Sequence, residues 1–452
     1  FFSWYMQTSY ESILERNLLL RALRQLADHG EDGLTIADLA TEVRPLLGAA
    51  GFFLESEGGL EQKRRAWSAV YREFLTEETR IALEGVAAVE WFMALPQRFK
   101  VPQVLLQPPW SLTEPEARQL TTQLLGTLRY GGAVELAAEK DVTLDWASIG
   151  FKGQQARCRL GGGNRPPVER WDSLRGRRGA FLRKLLLRVS GCQCDEDIEG
   201  ALIEMWEAVR ECDHDAGSDS DRLLVRNGDA ARLNPRWWRA RTLAGPDEVF
   251  RCDSCGRVYA RSVRGVCPRH GCDGTLQRGT VDALGPNHYR ALYEDDLPGL
   301  LRVEEHTAQL ATDKAARFQR DFRTGKIQVL SCSTTFELGV DLGDLDTVFL
   351  RNVPPESFNY IQRVGRAGRR RDSVGFAVTY CRRSPHDLYH FSDPVRIVAG
   401  RTKPPSLSLH NDKIILRHLV AVALSEFFRA HPERFGRQAS SARGVESFVI
   451  DL

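Results

Sequence analysis

Arginine is concentrated in one short stretch of the chain, NYIQRVGRAGRRR, at residues 359–371. It holds five arginines in thirteen residues, separated by small residues such as Gly365 and Gly368. A guanidinium group keeps its charge at all physiological pH values, and its planar fork of N–H donors matches the oxygens of a phosphate. The stretch therefore predicts a phosphate contact. It leaves open whether the phosphate belongs to a nucleotide or to a nucleic acid.

Four cysteines form a second group, in the segment RCDSCGRVYARSVRGVCPRHGCDG at residues 251–274. Cys252 and Cys255 make a CxxC pair, and eleven residues later Cys267 and Cys272 follow with four residues between them. Two such turns aim four thiolates at one point, which is the tetrahedral sulfur set that zinc prefers, with no position left open for catalysis. The segment therefore predicts a structural zinc site, with four free thiols or disulfides as the alternative.

A looser cluster of candidate ligands consists of Cys192, Cys194, Cys212 and His214. The residues between the two halves of this cluster, 198–209, have the spacing of an amphipathic helix. Cysteines on helices are commonly small buried core residues. We favour that interpretation, and a second metal site is the alternative.

The composition is that of a globular protein. Of 452 residues, 27% are charged and 42% are hydrophobic, and the length predicts about three domains. The 62 basic and 60 acidic residues nearly cancel, so any nucleic-acid surface must be local. No apolar run approaches the roughly 20 residues needed to span a membrane, and no signal peptide is visible. Because the chain opens with Phe1 instead of methionine, we expect it to be a piece of a larger protein. The expected location of that protein is cytoplasmic.

Helical patterns dominate the region before the four cysteines. Residues 12–29 carry leucine at helical spacing, and after a glycine loop a second short helix is predicted to open at Thr35. A helix, a turn and a second helix are typical of a winged-helix unit. Similar patterns recur at residues 111–136 and 195–243. Such units either contact DNA or serve as packing spacers, and the sequence leaves both roles open.

From about Asn287 the pattern changes to that of an α/β protein. A helix at residues 312–325 precedes the apolar run IQVLSCS, and two further runs, TVFL and GFAVTY, flank the arginine-rich stretch. Alternating helices and apolar strands predict a parallel sheet covered by helices. Ligands of such sheets lie beyond the carboxyl ends of the strands. We therefore expect residues 333–341 and 362–369 on neighbouring functional loops at that edge.

The segment STTFELGVDLGDLDTVFLRNVPP, followed by QRVGRAGR, resembles motifs V and VI of superfamily 2 helicases. The preceding EEHTAQL supports the resemblance, which implies the second of two RecA-like lobes. Finer features, including FFSWYMQTSYESILERNLLL and SPHDLYHFSDPVRIVAG, resemble the large bacterial helicases that carry a cysteine-rich C-terminal region. That group contains the MrfA-type repair helicases and the helicase subunits of the DISARM and Druantia antiphage systems. The large insertion favours the Druantia-like helicases among them.

The resemblance implies roles for residues around the nucleotide. Arg366 and Arg369 match the motif VI arginines that reach the γ-phosphate across the cleft between the lobes, as arginine fingers do. Gln362 matches the residue that opens motif VI. Asp341 matches an acidic residue near the ribose and the finger arginines, and Gly339 allows close approach of the backbone.

The resemblance also implies a nucleic-acid contact. Ser333 aligns with the motif V threonine that touches a strand phosphate, and Thr307 is a weaker candidate for a similar contact. The implied partners are DNA, either single-stranded or at a duplex junction, the first RecA-like lobe of the same polypeptide, and other defence-system subunits. An RNA helicase is the disfavoured alternative, and no membrane partner is expected.

The predicted fold class is α/β, a parallel-sheet RecA-like helicase lobe interrupted by a large, mostly helical insertion. The insertion contains winged-helix-like units and a four-cysteine zinc ribbon. The predicted boundaries are 1–11 for the start of the lobe, 12–245 for the helical insertion, 246–280 for the zinc module, 281–400 for the remainder of the lobe and 401–452 for the helical start of a C-terminal region.

The motifs that bind ATP in a first lobe do not occur in the sequence. There is no GxxxxGK[ST] loop and no DExH-type carboxylate pair at a strand end. The chain is therefore predicted to be inactive alone, and to supply arginine fingers and DNA contacts once ATP and Mg²⁺ are bound by a first lobe. The predicted activity of the whole protein is that of an ATP-dependent DNA helicase. The rival prediction is a non-catalytic, zinc-containing scaffold that binds DNA or another protein.

Overall fold

The computed structural model of the chain describes residues 2–26, 33–54, 56–150, 156–162, 167–297, 299–307, 310–332, 345–368, 374–400, 411–431, 436–439 and 446–449. The chain forms two compact units, Phe1–Ser333 and Thr334–Leu452, here called the N-terminal unit and the C-terminal unit. None of the helices in these ranges is long and apolar enough to cross a membrane.

Helices account for most of the regular structure. The described α-helices are α1 Phe2–Gln25, α2 Ile36–Ala49, α3 Gly59–Phe74, α4 Gln103–Leu106, α5 Glu114–Tyr130, α6 Trp146–Ile149, α7 Arg177–Ser190, α8 Asp195–His214, α9 His288–Glu294, α10 Thr312–Arg323, α11 Ser357–Val364, α12 Pro385–Ser392, α13 Val395–Val398 and α14 Asp412–Ala430.

The strands are short and pair into several small sheets. They are β1 Leu34–Thr35, β2 Val89–Met93, β3 Arg157–Arg159, β4 Val168–Arg170, β5 Leu224–Asn227, β6 Ala230–Leu233, β7 Trp238–Thr242, β8 Glu248–Cys252, β9 Val258–Tyr259, β10 Leu276–Thr280, β11 Val303–His306, β12 Val329–Cys332, β13 Thr347–Leu350, β14 Phe376–Thr379, β15 Gly436–Ala439 and β16 Glu446–Val449. The N-terminal unit has the strand orders β1-β7-β2, β4-β3-β6-β5, β10-β8-β9 and β11-β12, and the C-terminal unit has β13-β14 and β15-β16.

Local capping signals start two helices of the N-terminal unit. The Thr35 hydroxyl accepts a hydrogen bond from the Asp38 N–H, and the Asp38 carboxylate accepts one from the Thr35 N–H, both at 3.0 Å. Thr113 and Glu116 make the same reciprocal pair at α5. These capping boxes satisfy N–H groups that have no partner within the helix, and each contributes about 1 kcal/mol. The predicted helix start at Thr35 is confirmed.

The helical core of the N-terminal unit closes around a small antiparallel sheet. Strand β7 lies between β1 and β2, with Ala240 opposite Leu34 on one side and Trp91 on the other. Helices α1, α2 and α3 precede β2, and their apolar faces are buried, with Phe74 and Val43 fully excluded from solvent. The first part of the N-terminal unit thus consists of three helices packed on a three-stranded sheet.

Helix α8 buries the face that its spacing predicts. Leu202 and Met205 are fully buried, and Trp206 is 4% exposed and packs against Trp171 with ring centroids 5.3 Å apart. The Trp171 indole N–H donates to the Leu202 carbonyl at 2.7 Å. The amphipathic helix expected at residues 198–209 is confirmed.

The first helix contacts the segment that follows the cysteines. The Asn17 amide donates to the carbonyl oxygens of Tyr293 and Asp295, at 3.0 and 2.7 Å, and Arg24 pairs with Glu294 at 2.7 Å. The chain thus returns to α1 after about 270 residues. The intervening residues form the mostly helical region 12–245, here called the helical body, and the four-cysteine module 246–280, here called the ribbon.

Two strand–helix–strand repeats follow. Strands β11 and β12 pair in parallel and are joined through α10, and β13 and β14 pair in parallel and are joined through α11. Parallel strands connected by helices confirm the α/β class predicted for residues 287–400. Two details differ: α10 ends at Arg323, two residues before the predicted end, and β12 is only half-buried, whereas a strand in a sheet covered by helices was expected to be buried.

Candidate functional site

The four cysteines of the predicted zinc site come together. The Sγ atoms of Cys252, Cys255, Cys267 and Cys272 all lie within 4.8 Å of one another. Cys252 and Cys272 are separated by 3.7 Å between sulfurs, and Cys255 and Cys267 by 3.8 Å. A tetrahedron with Zn–S bonds of about 2.3 Å has edges of about 3.8 Å. The group can therefore hold a metal ion, and its geometry fits zinc.

Backbone geometry aims each pair of thiols. Cys252 ends β8, and the following turn closes through the Gly256 N–H, which donates to the Cys252 carbonyl at 3.0 Å. The second turn closes through the Cys272 N–H, which donates to the Arg269 carbonyl at 3.2 Å. Gly256 and Gly271 have φ angles of +69° and +71°, in the left-handed region that favours glycine. Any other residue would strain the turns.

A lysine from the helical body fixes the second turn. Lys184 of α7 donates to three carbonyls of that turn, those of Cys267 and Cys272 at 2.7 Å and that of Arg269 at 3.1 Å. One ammonium group has three donors, so all of them are satisfied within one six-residue segment. Sequence reasoning did not single out Lys184, because its position in a basic helix favours a solvent or phosphate contact equally well.

The thiols differ in acidity because their surroundings differ. Burial raises the pKa of Cys267 to about 12. Burial acts in the same direction on Cys255, but hydrogen bonds from the Arg257 N–H and the neighbouring thiols outweigh it and lower the pKa of Cys255 to about 7. Metal ligands of this type must be thiolates, so a bound cation would supply the charge that the buried thiols require.

The looser cysteine cluster is not assembled. Cys192 and His214 are exposed, and Cys212 is buried on α8. Within the described ranges, the four cysteines of the ribbon are the group whose atoms lie close enough to share a metal ion. The favoured interpretation of Cys212, as a core residue on a helix, agrees with this.

The arginine-rich stretch forms the end of α11 and the turn after it. Gln362 lies in the last turn of α11, and Gly365 closes the helix with its N–H donating to the Ile361 carbonyl at 2.8 Å. Arg366 follows in the turn and is half-buried. The Gly368 N–H then donates to the Leu345 carbonyl at 3.0 Å. Four predicted site residues, Ser333, Gly339, Asp341 and Arg369, lie outside the described residues.

The position of this stretch corrects one prediction. Residues 362–369 were expected on a loop beyond the carboxyl ends of the strands, but Gln362 is helical and Gly368 bonds to Leu345, which precedes β13. Helix α11 starts after the carboxyl end of β13 and runs back along the strand. The eight residues of α11 and the four residues of β13 each span about 12–13 Å, so the helix ends near the start of the strand. The turn with Arg366 is thereby brought to the amino end of β13, where the motif V segment ends.

Thr307, the weaker candidate for a phosphate contact, lies at the carboxyl end of β11. It follows β11, whose last residue, His306, pairs in register with Cys332 of β12. Thr307 is half-buried, and its carbonyl accepts a hydrogen bond from the Leu310 N–H at 3.1 Å. His306 and Cys332 are therefore the last residues of the two paired strands.

A buried carboxylate supports the turn before α11. Asp387 accepts hydrogen bonds from the N–H groups of Arg382 at 2.8 Å and Val353 at 3.4 Å, and His386 contacts the Pro354 carbonyl at 3.1 Å. Burial raises the pKa of Asp387, but these hydrogen bonds outweigh it and hold the pKa below its ordinary value. Sequence reasoning missed this residue, although Ser384 and Asp387 have the spacing of a capping box.

Comparison with known proteins identifies part of the chain. Residues 288–371 match the family described as helicase conserved C-terminal domain. Druantia protein DruE of Escherichia coli is 48% identical over 142 residues, which cover 28% of this chain and 8% of DruE. ATP-dependent helicase hrq1 of Schizosaccharomyces pombe is 28% identical over 141 residues, which cover 31% of this chain and 13% of hrq1. A crystal structure of the helicase MrfA bound to DNA and AMPPNP is similar with a TM-score of 0.26 and 23% identity, covering 29% of this chain and 18% of MrfA.

Residues 288–371, which include motif VI, therefore match a helicase C-terminal domain, as the resemblance of motifs V and VI predicted. The Lhr helicase/probable uracil glycosylase of Mycolicibacterium smegmatis is also similar, with 26% identity over 140 residues, which cover 28% of this chain and 8% of that protein. The matched residues span only 8% of DruE and 13% of hrq1.

Proposed function

We propose that the chain supplies the second RecA-like lobe of an ATP-driven DNA helicase or translocase of an antiphage defence system. The observation that carries this proposal is the match of residues 288–371 to the helicase C-terminal domain, with the motif VI turn bonded to the end of the motif V segment through Gly368 and Leu345. The similarity to DruE, a Druantia protein, supports the defence role.

In this proposal Arg366 and Arg369 are arginine fingers for a nucleotide held by a first lobe. Arg366 is anchored in a turn whose backbone is bonded on both sides, so its guanidinium group starts from a fixed point. Gln362, one turn earlier on α11, couples the nucleotide to the strand contacts. Asp341 and Gly339 belong to the nucleotide side of motif V.

Ser333 and Thr307 are the proposed contacts to DNA phosphates. The register of β11 and β12 supports this pairing, because each residue directly follows one member of the paired His306 and Cys332. A phosphate contact of this kind positions a strand and does not read its base sequence.

ATP and Mg²⁺ are the cofactors proposed for the complete protein, and zinc is the proposed ion of the four-cysteine site. Besides DNA, the proposed partners are the first RecA-like lobe and other subunits of the defence system. The helical body and the ribbon, residues 12–280, are proposed to be an insertion within the lobe. The hydrogen bonds from Asn17 to Tyr293 and Asp295 support this, because they join the start of that region to the chain that follows it.

The test uses the full-length polypeptide that includes a first lobe. Arg366→Ala should lower DNA-stimulated ATP turnover by about a thousandfold or more, because a missing arginine finger costs that much, while DNA binding is retained. Arg320→Ala, at an exposed position on α10, is the matched control and should leave turnover unchanged. Normal turnover in the Arg366 variant would contradict the finger role, and the rival scaffold function would then be favoured.

A further inference from the structure

A large cavity lies within the N-terminal unit, apart from the motif V and VI segments. Its volume is about 930 Å³, and its walls come from α5, from β2 and from the ribbon of cysteines. The size is at the upper end of the roughly 300–1,000 Å³ typical of ligand pockets. No role proposed above uses this space.

The polar side chains of the α5 wall are uncharged except for Arg129, which pairs with Glu84. Gln119, Thr122, Gln123, Thr127 and Tyr130 line the cavity at helical spacing, so one face of the helix presents two amides and three hydroxyl groups. A helix face that only meets solvent is usually rich in charge. Amide and hydroxyl groups are those that hydrogen-bond to the edges of unpaired bases.

The wall from β2 and β7 is aromatic and contains unsatisfied donors. Trp91 and Trp238 are 6% and 2% exposed, and the Nε1 atom of each is buried without an acceptor among the residues that the structure describes. A buried N–H group without an acceptor is costly. Phe92, Tyr130 and Tyr259 also line the cavity and are half-buried, so part of each residue stays accessible. Arg261 and Arg129 lie over the Phe92 and Tyr130 rings, 5.1 and 5.2 Å from the ring centroids.

The opening toward the ribbon carries an excess of guanidinium groups. Arg177 and Arg257 share one carboxylate, that of Glu77, at 2.7 and 3.9 Å, and Arg269 is exposed with no carboxylate partner in the described part of the chain. Glu78 is also exposed there, and no ion pair joins it to an arginine among the described residues. The other two lining carboxylates are paired: Glu84 with Arg129, and Glu90 with Arg241 and Arg261.

We infer that this cavity binds unpaired nucleotides of a single nucleic-acid strand. Bases stack on the half-buried rings and bond to the polar groups of the α5 face, and phosphates meet the arginines at the ribbon side. Stacking rings beside a positively charged rim are the general features of single-strand sites. The inference rests on the proposed function in taking the strand to be DNA, and it adds a second contact within the insertion.

The test measures binding of a fluorescent oligodeoxythymidine of about 20 nucleotides, longer than most single-strand sites, by the chain itself. Tyr130→Ala should weaken binding at least about fivefold, since one stacked base contributes that much, whereas Tyr130→Phe, which keeps the ring, should not. Arg269→Glu should weaken binding and lower its salt dependence. Arg210→Glu, an exposed position on α8 outside the cavity, is the matched control and should bind normally.

The outcomes separate this inference from the proposed function. Binding that is absent, or unchanged by the Tyr130 and Arg269 variants, overturns the inference, while the proposed function is judged independently by the ATP turnover of the Arg366 variant. A photo-crosslinking residue at Gln123 gives a second readout that does not depend on affinity. Crosslinks to the strand support the inference, and crosslinks to polypeptide alone overturn it in favour of a protein-binding cavity.

Discussion

The N-terminal unit buries its large apolar side chains, whereas the C-terminal unit leaves many of them exposed. One buried cluster extends through the N-terminal unit from Leu14 to Tyr293. In the C-terminal unit, by contrast, Val374 is 94% exposed and Phe376 and Phe391 are each 65% exposed. Helix α14 has no buried residue in spite of its many isoleucine, leucine and valine side chains.

The difference shows how each unit holds its candidate site. The cysteine ribbon is bound to a large core through Lys184, so its geometry is set from within the N-terminal unit. The motif VI turn is held by short strands and a few hydrogen bonds. The C-terminal unit around it exposes apolar side chains, as interaction surfaces typically do. We therefore expect the first site to persist in isolation and the second to depend on what covers it.

Removal of the metal should have the largest effect. The small core of the ribbon consists of Cys252, Cys267, Cys272 and Leu276, so without an ion little else holds it together. Zinc binding to such sites contributes about 10–16 kcal/mol. Chelation, or Cys267→Ser, should abolish the hydrogen-exchange protection of residues 248–280 and release one zinc per chain, measured by elemental analysis. Cys192→Ser, at an exposed cysteine, is the control and should retain both the bound zinc and the hydrogen-exchange protection. A ribbon that stays protected without metal would contradict the prediction.

The next largest effect is expected from Arg16→Met. Arg16 and Glu73 form a buried pair at 2.8 Å between α1 and α3, with both side chains less than a tenth exposed. Removing one partner leaves a buried charge and should lower the free energy of unfolding by about 3–5 kcal/mol in urea titrations. Arg21→Met breaks an exposed pair with Asp296 on the same helix and should cost less than about 1 kcal/mol. Equal costs for the two variants would refute the role assigned to burial.

Lys184→Met should weaken metal binding while the helical body stays folded. The three carbonyls that Lys184 holds belong to the turn that carries Cys267 and Cys272. Removal of a group that orients metal ligands costs about 10–100-fold in affinity. Competition with a chromophoric chelator measures this. Arg183→Met, at the adjacent residue, which pairs with Asp195, is the control. An unchanged zinc affinity would reduce Lys184 to a packing contact.

Asp387→Asn should destabilise the C-terminal unit in a pH-dependent way. Because the pKa of the Asp387 carboxyl is lowered in the folded state, its contribution is present above its unfolded pKa of about 3.9 and is lost as pH falls through the folded pKa. The variant should be less stable by about 1–3 kcal/mol at pH 7 and approach the parent protein below about pH 4. Thermal unfolding across pH tests this, with Asp393→Asn as an exposed control. A difference that grew on acidification would have the wrong sign.

The smallest effect is expected at an exposed leucine of the C-terminal unit. Leu416→Ala on α14, where Leu416 is 64% exposed, should change stability by no more than about 0.5 kcal/mol. Leu182→Ala on α7, where Leu182 is fully buried, should cost about 2–5 kcal/mol. Denaturant midpoints of the two variants measure the contrast directly. A large cost at Leu416 would show that α14 is covered, and the comparison of the two units would fail.

Short-range patterns predicted much of the structure. The CxxC spacing, the cap at Thr35 and the apolar run TVFL depend on residues close together in the chain, and the structure agrees with all three. Motif VI predicted the helicase domain for the same reason, since its residues are contiguous. The predictions for the burial of β12 and for the sheet edge that Arg366 reaches were wrong. Both properties depend on neighbouring elements that the pattern of a single strand does not specify.

The sequence by itself determined which chemistry the chain carries, namely four thiols for a metal ion and arginines for phosphate. Only the tertiary structure decided what stands beside them. Lys184 meets a turn more than 80 residues later, and Asn17 meets Tyr293 across 276 residues. Such contacts form only after long loops close, so they are selected by the packing of the whole unit and not by local preference.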